Sequence, residues 1–190
     1  MSVHPLPRRL ALLGLLVALS ACGGGGDDNG GDDEAPGGGV PAGTDIGCGT
    51  ANFQAEALRL VNERRAAGAS CGTRGNFAAT GALRWSDALA SAAYLHSKDM
   101  ADKNYFSHDS QDGRSFSQRI TAAGYNWNTV GENIAAGQGT LAAVIDGWMA
   151  SDGHCANIMS PAFQDIGLGC ARNASSQYGI YWTMDLGTAR

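Results

Sequence analysis

The stretch SDGHCANIM, residues 151–159, places a histidine between a glycine and a cysteine, just before a short apolar run. Taken alone, His154 has an ordinary interpretation, because a single histidine is more often a packing residue than a ligand. Its neighbour Cys155 adds a second question, since a cysteine beside a histidine either reacts or fixes the histidine in place. The rest of the sequence has to decide between these interpretations.

The beginning of the chain predicts export. Two arginines precede the apolar run LALLGLLVAL at residues 10–19, which has the length of a signal peptide and is short for a membrane span. The following LSAC, residues 19–22, resembles a bacterial lipobox, which implies cleavage of residues 1–21 and a lipid on Cys22. The alternative is ordinary cleavage nearby, with Cys22 discarded or left as a thiol. Gly23 follows, so no aspartate suggests inner-membrane retention, and we expect an outer-membrane or cell-surface lipoprotein.

Residues 22–47 are interpreted as a disordered tether. Of the 25 residues in 23–47, 11 are glycine, 6 are acidic and none is lysine or arginine. Such a segment has little apolar surface to bury. Its end-to-end distance as a flexible chain is roughly 25–30 Å. The tether accounts for the net charge of −5, so the domain at residues 48–190 is nearly neutral, and we expect no nucleic-acid partner.

The domain contains four cysteines, Cys48, Cys71, Cys155 and Cys170. An even number in an exported protein predicts two disulfides. Three pairings are possible, and we favour Cys48–Cys71 with Cys155–Cys170 because each pair brackets a compact segment. The spacings do not resemble a zinc ribbon, which needs close C-x-x-C pairs.

Residue patterns predict an α+β domain. Apolar spacing and capping residues indicate helices at residues 51–68, 86–104, 115–124 and 140–151. Strand signals concentrate at the end, at residues 165–173 and 178–187, joined by a polar turn. Helices followed by paired strands favour helices packed on a small antiparallel sheet.

Three histidines remain in the domain. His96 lies on an Ala/Leu stripe of a predicted helix and is interpreted as a packing residue. His108 lies in a polar loop, where side chains are not committed to a core. GENIAAG, residues 131–137, places Glu132 between the loop of His108 and His154 in the sequence.

Together these pieces resemble a known family. The matching segments, in order, are NYFSH with DGRSFSQRI, then GENIAAG, W-M-x-S-x-G-H-x-x-N-I-M (148–159), FQDIGLG (163–169) and YWTMDLG (181–187). They resemble the CAP superfamily of SCP domains, which includes cysteine-rich secretory proteins, antigen-5 allergens and plant pathogenesis-related proteins. The order and spacing are similar to the bacterial lipoprotein branch, over roughly residues 53–187.

The resemblance implies an α-β-α sandwich with a small central antiparallel sheet flanked by helices. It also implies a cleft in which His108, His154 and Glu132 converge. Two imidazoles and a carboxylate suit a divalent metal, zinc above all, with positions left open for water. Without a metal, the same groups suit acid–base chemistry near neutral pH.

The chain departs from the family pattern at two places. Many eukaryotic members have a second acid seven residues after the first histidine, where this chain has Ser115. Asp112 or Asp109 are the candidates for that role. After YWT, Gln and Asn are expected, but Met184 and Asp185 follow. Asp185 is either an extra cleft acid or an exposed strand residue.

Several polar neighbours are assigned structural roles. Arg119 is expected to form an ion pair, and Asn133 and Asn157 to hydrogen-bond the cleft loops. We expect Cys155, bonded to Cys170, to fix the turn that carries His154 against the sheet.

The sequence leaves two functions in competition. The first is a binding module for an unknown small-molecule, lipid or cell-wall ligand, since the resemblance implies sterol, lipid or protein partners. The second is a metal-dependent or acid–base hydrolase of peptide or cell-wall substrates. We rank binding first because no residue stands out as a nucleophile and the second acid is missing. A purely structural surface protein with a vestigial cleft is a third possibility, which the presence of both histidines disfavours.

Overall fold

The computed structural model describes residues 39–190, and within them the chain forms five α-helices and six strands. The helices are α1 (Phe53–Ala67), α2 (Asp87–Lys103), α3 (Phe116–Ala122), α4 (Leu141–Met149) and α5 (Asp152–Met159). The strands are β1 (Ala69–Ser70), β2 (Asn76–Phe77), β3 (Arg84–Trp85), β4 (Trp127–Ala136), β5 (Asp165–Arg172) and β6 (Ile180–Ala189). The predicted signal peptide, Cys22 and most of the predicted tether lie outside the described residues.

The four predicted helices are confirmed, with ends that differ by no more than two residues. Three begin at side-chain caps, which satisfy backbone N–H groups that the first turn leaves unpaired. Ser86 accepts a hydrogen bond from the N–H of Leu89, and Thr140 accepts one from that of Ala143. Ser115 forms a capping box with Gln118 and so starts α3. No helix among residues 39–190 has the length and apolar character needed to cross a bilayer.

The main sheet has four strands in the order β3-β5-β6-β4. Strand β6 is antiparallel to β5 and to β4, whereas the short β3 runs parallel to β5. Because side chains alternate along a strand, Leu168, Trp182 and Met184 enter one core with α1, α4 and α5. Tyr181 enters the opposite core with α2. Helices therefore cover both faces, which confirms the α-β-α sandwich.

Helix α2 lies directly against β5 because two glycines leave room for its backbone. A Cβ built on Gly167 would lie 2.0 Å from the nitrogen of Ala90, and one on Gly169 would lie 2.3 Å from Cα of Tyr94. Any side chain at either position would push the helix off the sheet. The G-x-G of DIGLG thus sets the separation between α2 and the sheet.

Besides the two-residue strands β1, β2 and β3, two longer elements were not predicted, β4 and α5. The centre of β4 is buried on both faces and includes the polar residues Glu132 and Asn133, so the usual apolar alternation is absent. Helix α5 is a helix of 8 residues where a turn was expected to carry His154. Its shortness and the glycine in its first turn conceal the helical pattern.

The folded part begins before Cys48, inside the segment interpreted as tether. The N–H of Cys170 donates to the carbonyl of Ile46 over 2.8 Å, and Gly47 forms an isolated bridge with Cys170. Ile46 also packs against the main core. This backbone pairing brings Cys48 next to β5.

The predicted disulfide pairing is wrong. The structure joins Cys48 to Cys170 and Cys71 to Cys155, in place of Cys48–Cys71 and Cys155–Cys170. The bridges span 122 and 84 residues, so compactness along the sequence was a misleading criterion. The pairing of residues 46–47 with β5 decides the first bridge.

The second bridge attaches α5, and with it His154, to the segment after α1. It is reinforced by Asp152, whose carboxylate accepts hydrogen bonds from the N–H and hydroxyl of Thr73 over 2.8 and 2.5 Å. The first turn of α5 is therefore held at two adjacent points.

We expect replacement of both Cys71 and Cys155 by alanine to lower the free energy of unfolding by about 2–5 kcal/mol, because the bridge restricts the unfolded chain. Urea denaturation of the oxidised protein measures this loss. Non-reducing peptide mapping should recover Cys71 linked to Cys155, and a peptide that joins Cys48 to Cys71 would contradict the observed topology.

Candidate functional site

His108 is presented by the loop between α2 and α3. Helix α2 ends at Asn104, which adopts a left-handed conformation with φ 53°, and the capping box at Ser115 begins α3. Between them, the N–H of Ser110 donates to the carbonyl of Arg114 over 3.0 Å and closes the loop on itself. The side chain of His108 remains 52% exposed. The loop is thus fixed at both ends while its histidine faces the surface.

Glu132 lies on β4 behind His108, and its side chain is only 1% exposed. Its Oε1 is 2.8 Å from Nδ1 of His108, and its Oε2 accepts a hydrogen bond from Arg119 over 2.6 Å. Both carboxylate oxygens are therefore engaged by protein partners. Because an ionised carboxylate only accepts hydrogen bonds, His108 carries its proton on Nδ1 and leaves Nε2 for a ligand.

Arg119, on α3, is the counter-ion of Glu132, which agrees with the structural ion pair predicted for it. Its side chain is 6% exposed and also donates to the hydroxyl of Ser110 and the carbonyl of Arg114 over 3.1 and 3.0 Å. One guanidinium thus ties the His108 loop to β4. A buried carboxylate needs such a partner, because an unpaired buried charge is very costly.

His154 occupies the first turn of α5 and is half-buried. Burial lowers the pKa of His154, and the positive charge that His108 acquires on protonation lowers it further. The imidazole of His154 is therefore favoured in its neutral form at pH 7. Both predicted site histidines adjoin β4, since His108 contacts the side chain of Glu132 and the backbone carbonyl of His154 accepts a hydrogen bond from Asn133.

Two asparagines hold α5 against β4. The amide of Asn133 donates to the carbonyl of His154 over 3.2 Å. The amide of Asn157 donates to the carbonyl of Glu132 over 3.3 Å and to the side-chain oxygen of Asn133 over 2.9 Å. The predicted role of Asn133 and Asn157 as hydrogen-bonding residues of the cleft is confirmed.

His96 is a buried residue beside the site, as its helix pattern predicted. Its Nε2 is 2.9 Å from the carbonyl of Ser107, so it supports the His108 loop from within α2. Burial is the main cause that lowers the pKa of His96.

The structure places the two predicted substitutes for the second acid at the surface. Asp112 is exposed, and its carboxylate pairs with Arg114 over 2.7 Å. Asp109 is exposed as well. The acid adjacent to Glu132 is instead Asp185 of β6, its direct partner in the antiparallel register.

Asp185 is 1% exposed, which excludes the exposed strand position considered above. Burial raises the pKa of Asp185 well above its ordinary value of 3.8, and the neighbouring charge of Glu132 raises it further, while Arg119 opposes this effect. Asp185 is thus favoured in its neutral form beside an ionised Glu132. The departure at YWTMDLG was the only sign in the sequence that Asp185 belongs to the site. Alternation along the strand places Asp185 on the face opposite Met184 and Leu186, but it does not reveal that α2 and α3 cover that face.

The predicted metal site of three protein ligands is not formed. Across residues 39–190, no group of three or more His, Cys, Asp and Glu side chains is arranged to hold a metal ion. Glu132 is held by His108 and Arg119, which leaves two imidazoles as donors. The pair of His108 and Glu132 matches a common feature of metal sites, in which a carboxylate accepts a hydrogen bond from the ring nitrogen that does not bind the metal and so orients the histidine.

We expect Asp185→Asn to raise the free energy of unfolding at pH 7. The pKa of Asp185 is higher in the folded protein than in the unfolded chain. Its contribution to the free energy of unfolding is therefore most favourable below about pH 4 and is lost as the pH rises. The gain from asparagine should therefore shrink as the pH is lowered towards 4. Urea denaturation across this range measures it, with the exposed Asp109→Asn as control. A destabilisation by Asp185→Asn that grows as the pH rises would show instead that the ionised carboxylate is required.

Known proteins share this domain. YkwD of Bacillus subtilis (strain 168) is 41% identical over 93 residues, which are 49% of this chain and 36% of that protein. The membrane protein YlbC of the same organism is 33% identical over 95 residues, which are 50% of this chain and 28% of that protein. The chain therefore spans only about a third of the length of these relatives.

Solved structures have the same fold. An extracellular SCP-domain protein of Bacillus anthracis is 33% identical with a TM-score of 0.51, over 57% of this chain and 34% of that one. An outer surface protein of Borrelia burgdorferi has a TM-score of 0.56 at 17% identity, over 73% of this chain and 91% of that one, and so shows the fold alone. The family model of the cysteine-rich secretory proteins, CAP, matches residues 58–186. With the sandwich, the histidines and the GENI strand in place, the chain belongs to the CAP family.

Proposed function

We propose that this chain is an extracytoplasmic binding module, held at a membrane by lipid on Cys22, whose cleft of His108, Glu132 and His154 captures a ligand. The observation that carries the proposal is the engagement of both oxygens of Glu132. A carboxylate so held orients the His108 ring rather than attacking a substrate. The result is a fixed, half-exposed imidazole beside a second, neutral one.

The extracytoplasmic location is supported by the two disulfides, which form and persist in oxidising compartments. The related protein of Bacillus anthracis is described as extracellular. The lipid anchor rests on the LSAC motif. Metabolic labelling with palmitate tests it: label should enter the chain and be lost in Cys22→Ala, and unchanged labelling of that variant would refute the anchor.

Catalysis ranks second because residues 39–190 offer neither a free cysteine nor a serine on a nucleophile elbow. All four cysteines of residues 39–190 form disulfides. The sequence GASCG, residues 68–72, matches the G-x-S-x-G pattern of a nucleophile elbow. Its Ser70, however, lies exposed in β1 opposite Asn76 rather than at a strand-to-helix turn. The geometry of a nucleophile elbow is thus absent there.

Zinc binding remains part of the proposal, with two protein ligands in place of the three predicted from the sequence. His108 through Nε2 and His154 would hold the ion, and Glu132 would orient the first imidazole from behind. A bound zinc ion would offer exchangeable positions to an oxygen or nitrogen of the ligand. The neutral state of His154 suits this role, because only a neutral imidazole ligates a metal.

Calorimetric titration of the oxidised full chain with Zn²⁺ tests this part. We expect one site that is lost in His108→Ala and in His154→Ala. Glu132→Gln should weaken binding about 10–100-fold, the usual effect of losing such an orienting partner. The exposed loop acid provides a matched control, so Asp109→Asn should bind as the wild type does. Circular dichroism verifies that each variant is folded, and the absence of saturable binding to the wild type would refute the zinc site.

A hydrolase is the alternative, favoured by the contact of 2.8 Å between His108 and Glu132. Such a pair can withdraw a proton from water and so act as a general base. Turnover of a peptide or cell-wall substrate that disappears in His108→Ala, with the fold intact, would reverse the ranking. Ligand capture without turnover supports the binding module.

A further inference from the structure

An open groove of about 330 Å³ begins at His154 and runs between the end of β4 and α4. We call it the aromatic groove and define it by Phe106, Gln138, Trp148, Ser151, His154 and Tyr178. Its volume lies at the small end of the range of about 300–1,000 Å³ typical of ligand sites. Because His154 belongs to both, the aromatic groove extends the cleft described above.

Two aromatic side chains at the aromatic groove remain exposed although they touch each other. Phe106 and Tyr178 are 45% and 42% exposed, and their ring centroids are 5.8 Å apart at an angle of 61°. Tyr178 also packs edge to face on the buried Tyr181, with centroids 5.8 Å apart. A buried ring thus supports an exposed pair. Large apolar side chains left together at a surface commonly mark a binding site.

The aromatic groove is lined by no side chain that is charged at neutral pH. Among the described residues that line it, none is Asp, Glu, Lys or Arg. This contrasts with the cavity between α2 and α3, which Lys98, Asp99 and Arg114 line among other charged side chains. A charged ligand would find no counter-charge here, so an uncharged ligand is favoured.

Polar groups nevertheless accompany the aromatic rings. Ser151 supplies a hydroxyl and His154 a neutral imidazole. Within residues 39–190, the side-chain oxygen of Gln138 is buried without a hydrogen-bond partner. Native structures rarely leave such an acceptor unsatisfied. A ligand for the aromatic groove should therefore combine an apolar face with hydrogen-bonding groups along its edge.

We propose that the aromatic groove binds a neutral glycan, with a sugar ring stacked on Phe106 and Tyr178 and its polar groups directed to Ser151 and His154. The C–H face of a pyranose carries partial positive charge and suits the negative face of an aromatic ring. Its hydroxyl or acetamido groups suit the uncharged polar groups of the lining. This inference rests on the proposed binding function and names the ligand class of the same cleft.

Titration of the full chain with the tetramer of N-acetylglucosamine, followed by NMR, tests the proposal. We expect saturable binding that is weakened about tenfold in Phe106→Ala and in Tyr178→Ala, since each removes a stacking ring. Leu95→Ala is the matched control: Leu95 is 41% exposed but lies on α2 and lines the other cavity. The affinity of the Leu95→Ala variant for the tetramer should stay within about twofold of the wild type.

Three results would overturn the proposal: no binding of the tetramer, binding that Phe106→Ala and Tyr178→Ala leave unchanged, or capture of hexadecanoate in place of the tetramer. His108→Ala separates this failure from failure of the proposed function. If the wild type does not bind the tetramer but binds zinc, and His108→Ala loses zinc binding, the glycan proposal is refuted and the His/Glu cleft is still supported as a binding site. If tetramer binding is weakened by the loss of the aromatic rings but unchanged in His108→Ala, the aromatic groove is supported as the ligand site and the His/Glu cleft is refuted in that role.

Discussion

The site depends on one buried charge, the carboxylate of Glu132. At the centre of β4 it has almost no contact with water, so its charge must be compensated by protein groups. Arg119 provides the counter-ion from α3, and His108 provides a second hydrogen bond from the preceding loop. Asp185 lies opposite Glu132 on β6 and is favoured as neutral, because burial disfavours its charge and a second charge there would repel the first. The partners of Glu132 thus connect a helix, a loop and two strands.

The second histidine is positioned by different means. His154 lies on a short helix with few core residues of its own, and that helix is fixed by the bridge from Cys155 to Cys71. Asn157 and Asn133 then join the helix to β4, beside Glu132. The cysteine next to the histidine therefore has a structural purpose. It fixes the position of the imidazole while the ring stays accessible.

Much of this arrangement was predictable from the sequence, and the failures have physical causes. The four predicted helices, α1 to α4, follow from capping residues and apolar spacing, both of which are local properties. His108, Glu132 and His154 were found through the motifs of a family and not through any local pattern. The disulfide pairing failed because it depends on which segments are neighbours in space, and residues 46–47 pair with a strand more than a hundred residues later.

The polar interior was the hardest part to predict. Strand β4 escaped notice because buried Glu132 and Asn133 interrupt its apolar pattern, and they are tolerated only because partners from elsewhere satisfy them. The burial of Asp185 likewise depends on the helices that cover β6. Phe106 and Tyr178 were not singled out, since isolated aromatic residues in loops give no sign that they meet.

The orientation of His108 by Glu132 is the central claim, and the tautomer of His108 tests it most directly. Histidine-labelled ¹⁵N NMR of the oxidised full chain at neutral pH distinguishes a proton on Nδ1 from one on Nε2. The structure predicts the Nδ1–H form in the wild type, with a shift towards Nε2–H in Glu132→Gln. An Nε2–H tautomer in the wild type, unchanged by that substitution, would contradict the account.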